Sequence, residues 1–214
     1  SSIVSWLLQH NGYEQGSNAD YNKEIAMDET RLFRFLNTTQ ADKMKQLRLE
    51  NDPLEKEKFL QRLDQSLHTN GVIDLLRKGF RYKHLVLDMF YVRPSPGNET
   101  AAKLYAQNIF SVTRQLQYSR QNPLLALDVC LFLNGLPIAT MELKNQLTKQ
   151  NAADAVKQYK DERTPDEVLF GFKRCIVHFA VDDNEVRMCT ELKGQKSWFL
   201  PFNKGYNDGA GNPP

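Results

Sequence analysis

The chain is predicted to form an α/β fold, a mixed β-sheet flanked by helices with a helical region in front of it. Apolar residues recur at helical spacing through roughly the first 80 residues and at strand spacing from residue 85 on. A helical stretch at 151–162 then separates two apolar runs. A strand–helix–strand crossover of that kind makes its two strands parallel, and the meander before it should be antiparallel. A mixed sheet with helices on its faces follows. A chain of 214 residues, 41% hydrophobic and 25% charged, can bury a core and need not be disordered.

In chain order, residues 1–11 read as a short amphipathic helix closed by Gly12, and 18–24 as a polar loop. Asp28 begins a helix to about Phe35, and a charged helix follows at 40–52 with Met44 and Leu47 inward. Asp52-Pro53 is a sound helix start, because proline is tolerated in the first turn. That helix runs toward Leu67 with Leu54, Phe59, Leu60 and Leu63 inward. A short helical segment spans 71–79, between two glycines. Residues 85–92 (LVLDMFYV) read as a strand that contains Asp88 and ends before Pro94. A helical turn at 100–108 leads to a strand at 110–118, whose alternation puts Phe110, Val112, Arg114, Leu116 and Tyr118 on one face. Asn151 can cap the helix at 151–162. Ala152, Ala155, Val156 and Tyr159 form its apolar stripe. Residues 175–181 and 185–192 make a hairpin across Asp182-Asp183-Asn184, and 198–202 is a last apolar segment.

The chemistry concentrates in 122–144, NPLLALDVCLFLNGLPIATMELK. Two apolar runs flank the turn signal Asn134-Gly135. Asp128 stands inside the first run, and Glu142 and Lys144 end the second. A charge in such a run is costly to bury unless paired or bound to a metal. Side chains alternate along a strand, so Glu142 and Lys144 share a face. A two-residue loop alone would pair Asp128 with Met141 and send Glu142 to the other side. Convergence therefore requires an odd loop or a bulge. Two carboxylates brought together repel unless a cation sits between them. An all-oxygen donor set suits magnesium, which keeps several waters and takes one or two carboxylates. Lys144 would add a positive charge that orients or deprotonates an attacking water. Gln158, Lys157 and Lys160 lie off the apolar stripe of the following helix. Gln158 is expected to face the site and the lysines to contact phosphates, with a plain solvated surface as the alternative.

These residues resemble the nuclease core of the PD-(D/E)XK superfamily, and more narrowly the N-terminal endonuclease domain of the type I restriction enzyme R subunit. The segments carrying the likeness are LDVCLFLNGLPIATMELKN, AADAVKQYKDER, HFAVDDNEVRMCTELKG and FLPFNKG with GAGNPP. It covers about the last two-thirds of the chain well and the first third loosely. The resemblance implies that Asp128, Glu142, Lys144 and Gln158 are the catalytic set. Asp128 and Glu142 would hold Mg2+, with the Leu143 carbonyl as a third ligand. Leu127 stands where the superfamily name has proline. Glu162 stands where many relatives have the tyrosine of Q-x-x-x-Y, and Tyr159 lies adjacent to Gln158 instead.

The resemblance further implies a cytoplasmic endodeoxyribonuclease acting on double-stranded DNA alongside methyltransferase and specificity subunits. ATP would enter only through a translocase absent from this sequence. The expected division is a helical region at 1–80 packed on the core, a nuclease core at 81–204 and a linker at 205–214. Two alternatives stay open: another repair or recombination nuclease of the superfamily, and a non-catalytic module that docks subunits.

Other chemistries find little support. Net charge is only +2, which leaves DNA binding to a local basic patch. No run approaches the roughly 18 apolar residues of a membrane span. Cys130, Cys175 and Cys189 are odd in number and read as buried thiols. No C-x-x-C pair suggests zinc. No phosphate-binding loop or G-x-S-x-G is present. His178 reads as a satisfied core histidine. Asp88 could join the site only if its strand neighboured the hairpin.

Overall fold

A computed structural model describes residues 2–145 and 149–202. The first elements are α1 (Ser2–His10) and the short strands β1 (Glu14–Gln15), β2 (Tyr21–Asn22) and β3 (Met27–Asp28). Four helices follow: α2 (Glu29–Thr39), α3 (Ala41–Leu47), α4 (Pro53–Asn70) and α5 (Val72–Lys78). Next come β4 (Phe80–Tyr82), β5 (Leu85–Leu87), α6 (Glu99–Tyr105) and the long strands β6 (Phe110–Gln117), β7 (Ala126–Leu133) and β8 (Leu136–Leu143). The crossover helix α7 (Ala152–Glu162) leads to β9 (Val177–Val181), β10 (Val186–Cys189) and β11 (Leu200–Pro201).

The main sheet has the order β1-β6-β7-β8-β9-β10-β11. Strands β6, β7 and β8 run antiparallel. Strand β9 lies parallel to β8, as a helical crossover requires. The sheet is therefore mixed, with helices against it, as the sequence predicts. On one face the side chains of Leu127, Cys130, Phe132 and Ala180 pack with Ala155 and Tyr159 of α7. On the other, Val112, Val129, Leu131 and Ala139 pack with Val4 of α1. A separate apolar cluster joins α2, α4 and α5 through Leu32, Phe35, Phe59, Leu63 and Leu75. Leu136, at the start of β8, is buried in that cluster. The tip of the central hairpin thus plugs into the N-terminal helices.

The tip is held by more than apolar contact. Asn134 and Gly135 both have positive φ, 51° and 82°, the signature of a two-residue type I′ turn, whose twist matches the right-handed twist of the flanking strands. Asn134 is fully buried. Its Oδ1 accepts from the Ile109 N–H (2.7 Å), and its Nδ2 donates to the Met89 carbonyl (3.0 Å). A side chain at Gly135 would stand 2.4 Å from the Asp28 carbonyl oxygen.

The helix ends follow their caps. Asp28 accepts from Arg31 N–H and Asp52 from Glu55 N–H, each at the start of its helix. Asn151 and Asp154 form a reciprocal capping box on α7. Asp182 adds a bond to the Ala152 N–H (2.8 Å), tying α7 to the β9–β10 turn.

Four local expectations are corrected. The charged helix expected at 40–52 is only α3, because Arg48 turns left-handed (φ 56°) and ends it. Leu54 is 69% exposed, since at helical spacing it lies on the side of α4 opposite the buried stripe of Phe59, Leu60, Leu63 and Leu67. The strand expected at 85–92 ends at Leu87 and pairs with β4 outside the main sheet. There the Gln40 side chain takes over the ladder: its Oε1 accepts from Asp88 N–H and its Nε2 donates to the Asp88 carbonyl. The Asp88 carboxylate pairs instead with Lys43, 3.7 Å away. Along β6 the alternation breaks at Gln115 (φ 48°), so Val112 and Leu116 serve opposite faces and Arg114 is exposed. Among the described residues no helix is long and apolar enough to cross a membrane. The linker expected at 205–214 lies outside the described residues.

Candidate active site

The β7–β8 hairpin meets the geometric requirement by a bulge. Near the turn Leu133 pairs with Leu136 and Phe132 with Pro137. Beyond the irregularity Leu131 pairs with Ala139 and Val129 with Met141, leaving Ile138 as the extra residue. Pro137, which lacks an N–H, sits beside it. Continued by one residue, the shifted register sets Asp128 opposite Glu142. The turn is the two-residue type that would on its own separate the two acids, and the bulge reverses that effect.

Glu142 is buried, at 1% exposure. Its Oε1 accepts from Arg163 Nε at 2.6 Å. Arg163, the residue just after α7, is 2% exposed. It also donates to Tyr118 Oη (2.9 Å) and to the Ala126 carbonyl (3.0 Å). The second oxygen of Glu142, Oε2, is buried with no hydrogen-bond partner among the described residues. Burial pushes the Glu142 carboxyl up to about 7, outweighing the pull of Arg163, and the facing Asp128 pushes the same way.

Asp128 is half-buried and better supplied. Its Oδ1 accepts from Gln115 Nε2 (2.9 Å) and its Oδ2 from the Leu143 N–H (2.8 Å). Lys144 continues β8: its N–H donates to the Val181 carbonyl of β9 (2.8 Å). Its ammonium donates to Gln158 Oε1 of α7 at 2.7 Å. Gln158 and Lys144 thus meet, while Lys157 is exposed on the same helix. Tyr159 points the other way and shares a hydrogen bond with Thr140 Oγ1 (2.8 Å) in the core. Glu162 lies near Arg163, 3.5 Å from Nη1.

His178 is a core residue. Its Nδ1 meets Thr140 Oγ1 at 2.7 Å, and burial lowers its pKa to about 4. The three cysteines are buried and unbridged.

The donor set admits a hard cation. A buried carboxylate oxygen without a partner is expensive, and ligation is one way such an oxygen is satisfied. Among the described residues no three His, Cys, Asp or Glu side chains converge. Two facing carboxylates make an oxygen donor set of the kind hard cations take, and not a closed zinc site. Arg163, Tyr118 and Gln115 carry no sequence pattern that marks them as part of the site. Arg163 stands just past the helix end, and Gln115 looks like one more strand position.

Compared with protein-family models, residues 2–197 match the one described as the type I restriction enzyme R protein N terminus. No curated protein matches the chain.

Proposed function

The chain belongs to the family of type I restriction enzyme R protein N-terminal regions, and from that premise we propose that it is a magnesium-dependent endonuclease domain hydrolysing DNA phosphodiesters. The observation that carries the proposal is the buried Glu142 carboxylate opposite Asp128, its Oε1 held by Arg163 and its Oε2 without a hydrogen-bond partner among the described residues. Asp128 and Glu142 would hold Mg2+, with the Leu143 carbonyl as a third oxygen donor. The ion, when bound, would supply positive charge to a phosphoryl oxygen and to the leaving 3′ oxygen.

The remaining chemistry falls to the chain. Lys144, steadied by Gln158, orients the water that attacks phosphorus in line and offsets the charge that builds there. Gln158 limits the freedom of an otherwise flexible ammonium. Exposed Lys157 and its neighbour Lys160 contact phosphates, so this surface positions the duplex without reading its sequence. Sequence choice then rests with specificity and methyltransferase subunits in the cytoplasm, and ATP with a translocase region. We place the boundary between a helical N-terminal region and the nuclease core near residue 80. The family match weighs against a repair or recombination nuclease.

Cleavage of supercoiled plasmid by the assembled restriction complex tests the proposal. Glu142→Ala and Lys144→Ala should each abolish cutting while leaving complex assembly intact. Undiminished cutting by both variants overturns the nuclease reading and favours a docking module.

A further inference from the structure

Gln115 has a backbone conformation that its residue type disfavours. Its φ is 48°, in the left-handed region that L-residues other than Asn, Asp and Gly seldom enter. It lies in the middle of β6, where the register holds on both sides: Arg114 pairs with Val129 and Leu116 with Leu127. That places Gln115 across from Asp128. No turn or chain reversal calls for the strain at this point.

Two further contacts show what the strain accomplishes. The Gln115 side chain donates from Nε2 to Asp128 Oδ1 at 2.9 Å. Its backbone is clasped from outside the sheet by Asn18. Asn18 Nδ2 donates to the Gln115 carbonyl (3.0 Å), and Asn18 Oδ1 accepts from the Gln117 N–H (2.8 Å). A side chain nearly a hundred residues upstream thus fills the bonds that the distorted strand leaves open. Strained backbone persists only where its surroundings over-determine it, and it gathers at functional sites.

From this geometry we infer that Gln115 is a positioning residue for Asp128, held in a strained backbone conformation by Asn18 so that its amide fixes the Asp128 carboxylate for the cation. The inference rests on the magnesium reading above. The Leu143 N–H takes Oδ2 of Asp128 and the Gln115 amide takes Oδ1, so the carboxylate is fixed at both oxygens. Each oxygen keeps further acceptor capacity for a cation. Partners of this kind orient ligands, and their loss typically weakens metal binding by roughly 10–100-fold.

The test separates positioning from folding because the two roles move in opposite directions. Gln115→Gly relieves the backbone strain and removes the amide. Gln115→Asn tolerates the left-handed region but has a side chain one methylene shorter. Magnesium binding is measured by calorimetry on the chain and melting temperature by circular dichroism, with Asp128→Ala as the reference for loss of the site. We expect both Gln115 variants to melt at or above the wild-type temperature and to bind magnesium roughly 10–100-fold more weakly. Wild-type affinity in Gln115→Gly overturns the inference and leaves the metal reading standing. A fall in melting temperature together with affinity in both variants assigns Gln115 to the fold and also overturns it. If wild-type chain binds no magnesium, or binds it as well after Asp128→Ala, the metal reading itself fails, and the inference with it.

Discussion

Replacing Arg163 by methionine should reveal how tightly the buried ion pair is coupled. The substitution keeps much of the side-chain volume and removes the hydrogen bonds to Glu142, Tyr118 and Ala126. Glu142 would then have no hydrogen-bond partner on either oxygen among the described residues, since Oε2 already lacks one. Removing one member of a buried pair costs about 3–5 kcal/mol, because the survivor is an uncompensated charge. The carboxyl can limit that cost by taking up a proton. Its pKa already stands at about 7 with the guanidinium present, pushed there by burial. The carboxyl is then already half protonated at pH 7, where further proton uptake costs well under 1 kcal/mol, so the cycle is run near pH 9, where uptake costs about 3 kcal/mol and the two routes give similar totals. Glu142→Leu alone strands the guanidinium and should cost a comparable amount. The double variant removes both charges and should cost far less than the sum, with a coupling energy of at least about 2 kcal/mol. Urea unfolding followed by circular dichroism measures all four corners of the cycle, provided the slope of the transition is unchanged. Effects that add to within about 0.5 kcal/mol would refute the buried-pair reasoning.

Two further outcomes follow from the core and the hairpin tip. His178 has a folded pKa of about 4, lowered by burial, against about 6.5 when unfolded. The unfolded chain therefore binds more protons between these values, and stability that His178 lends above pH 6.5 is lost as the pH falls toward 4. The stability difference between wild type and His178→Asn should shrink by roughly 3 kcal/mol from pH 7 to pH 4; a constant difference would contradict this. Gly135→Ala forces a Cβ to 2.4 Å from the Asp28 carbonyl oxygen and 2.7 Å from the Leu32 backbone nitrogen, at φ 82°. Denaturant unfolding should show a loss of at least about 2 kcal/mol. Gly97→Ala, with φ 89° but open space around it, should cost only about 1 kcal/mol; equal losses would show that the close contact is unimportant.

The sequence is most legible where local rules suffice. The parallel relation of β8 and β9 follows from the helix between them. The starts of α4 and α7 follow from Asp52-Pro53 and Asn151. The convergence of Lys144 with Gln158 follows from alternation in β8 and helical spacing in α7. What stays hidden depends on contacts between distant residues. Gln40 ends the strand at Leu87 from 48 positions away, and nothing in LVLDMFYV announces it. The bulge at Ile138 is legible only as a requirement, not as a place. Arg163 and Gln115 support the two acids from a helix end and a neighbouring strand. A lone arginine or glutamine has many ordinary uses, so neither stands out. Asn134 reads as a turn former, yet its bonds to Met89, Asn108 and Ile109 make it a joint between the hairpin and the segments that follow β5 and precede β6.

Magnesium titration of the purified chain by calorimetry, repeated with Asp128→Ala, Glu142→Ala and the remote surface variant Asp88→Ala, addresses the central claim most directly. Saturable binding in the wild type and in Asp88→Ala, abolished in the other two, is the predicted result. Binding that survives the loss of Asp128 and of Glu142, or that wild type never shows, would mean that these two carboxylates do not share a cation.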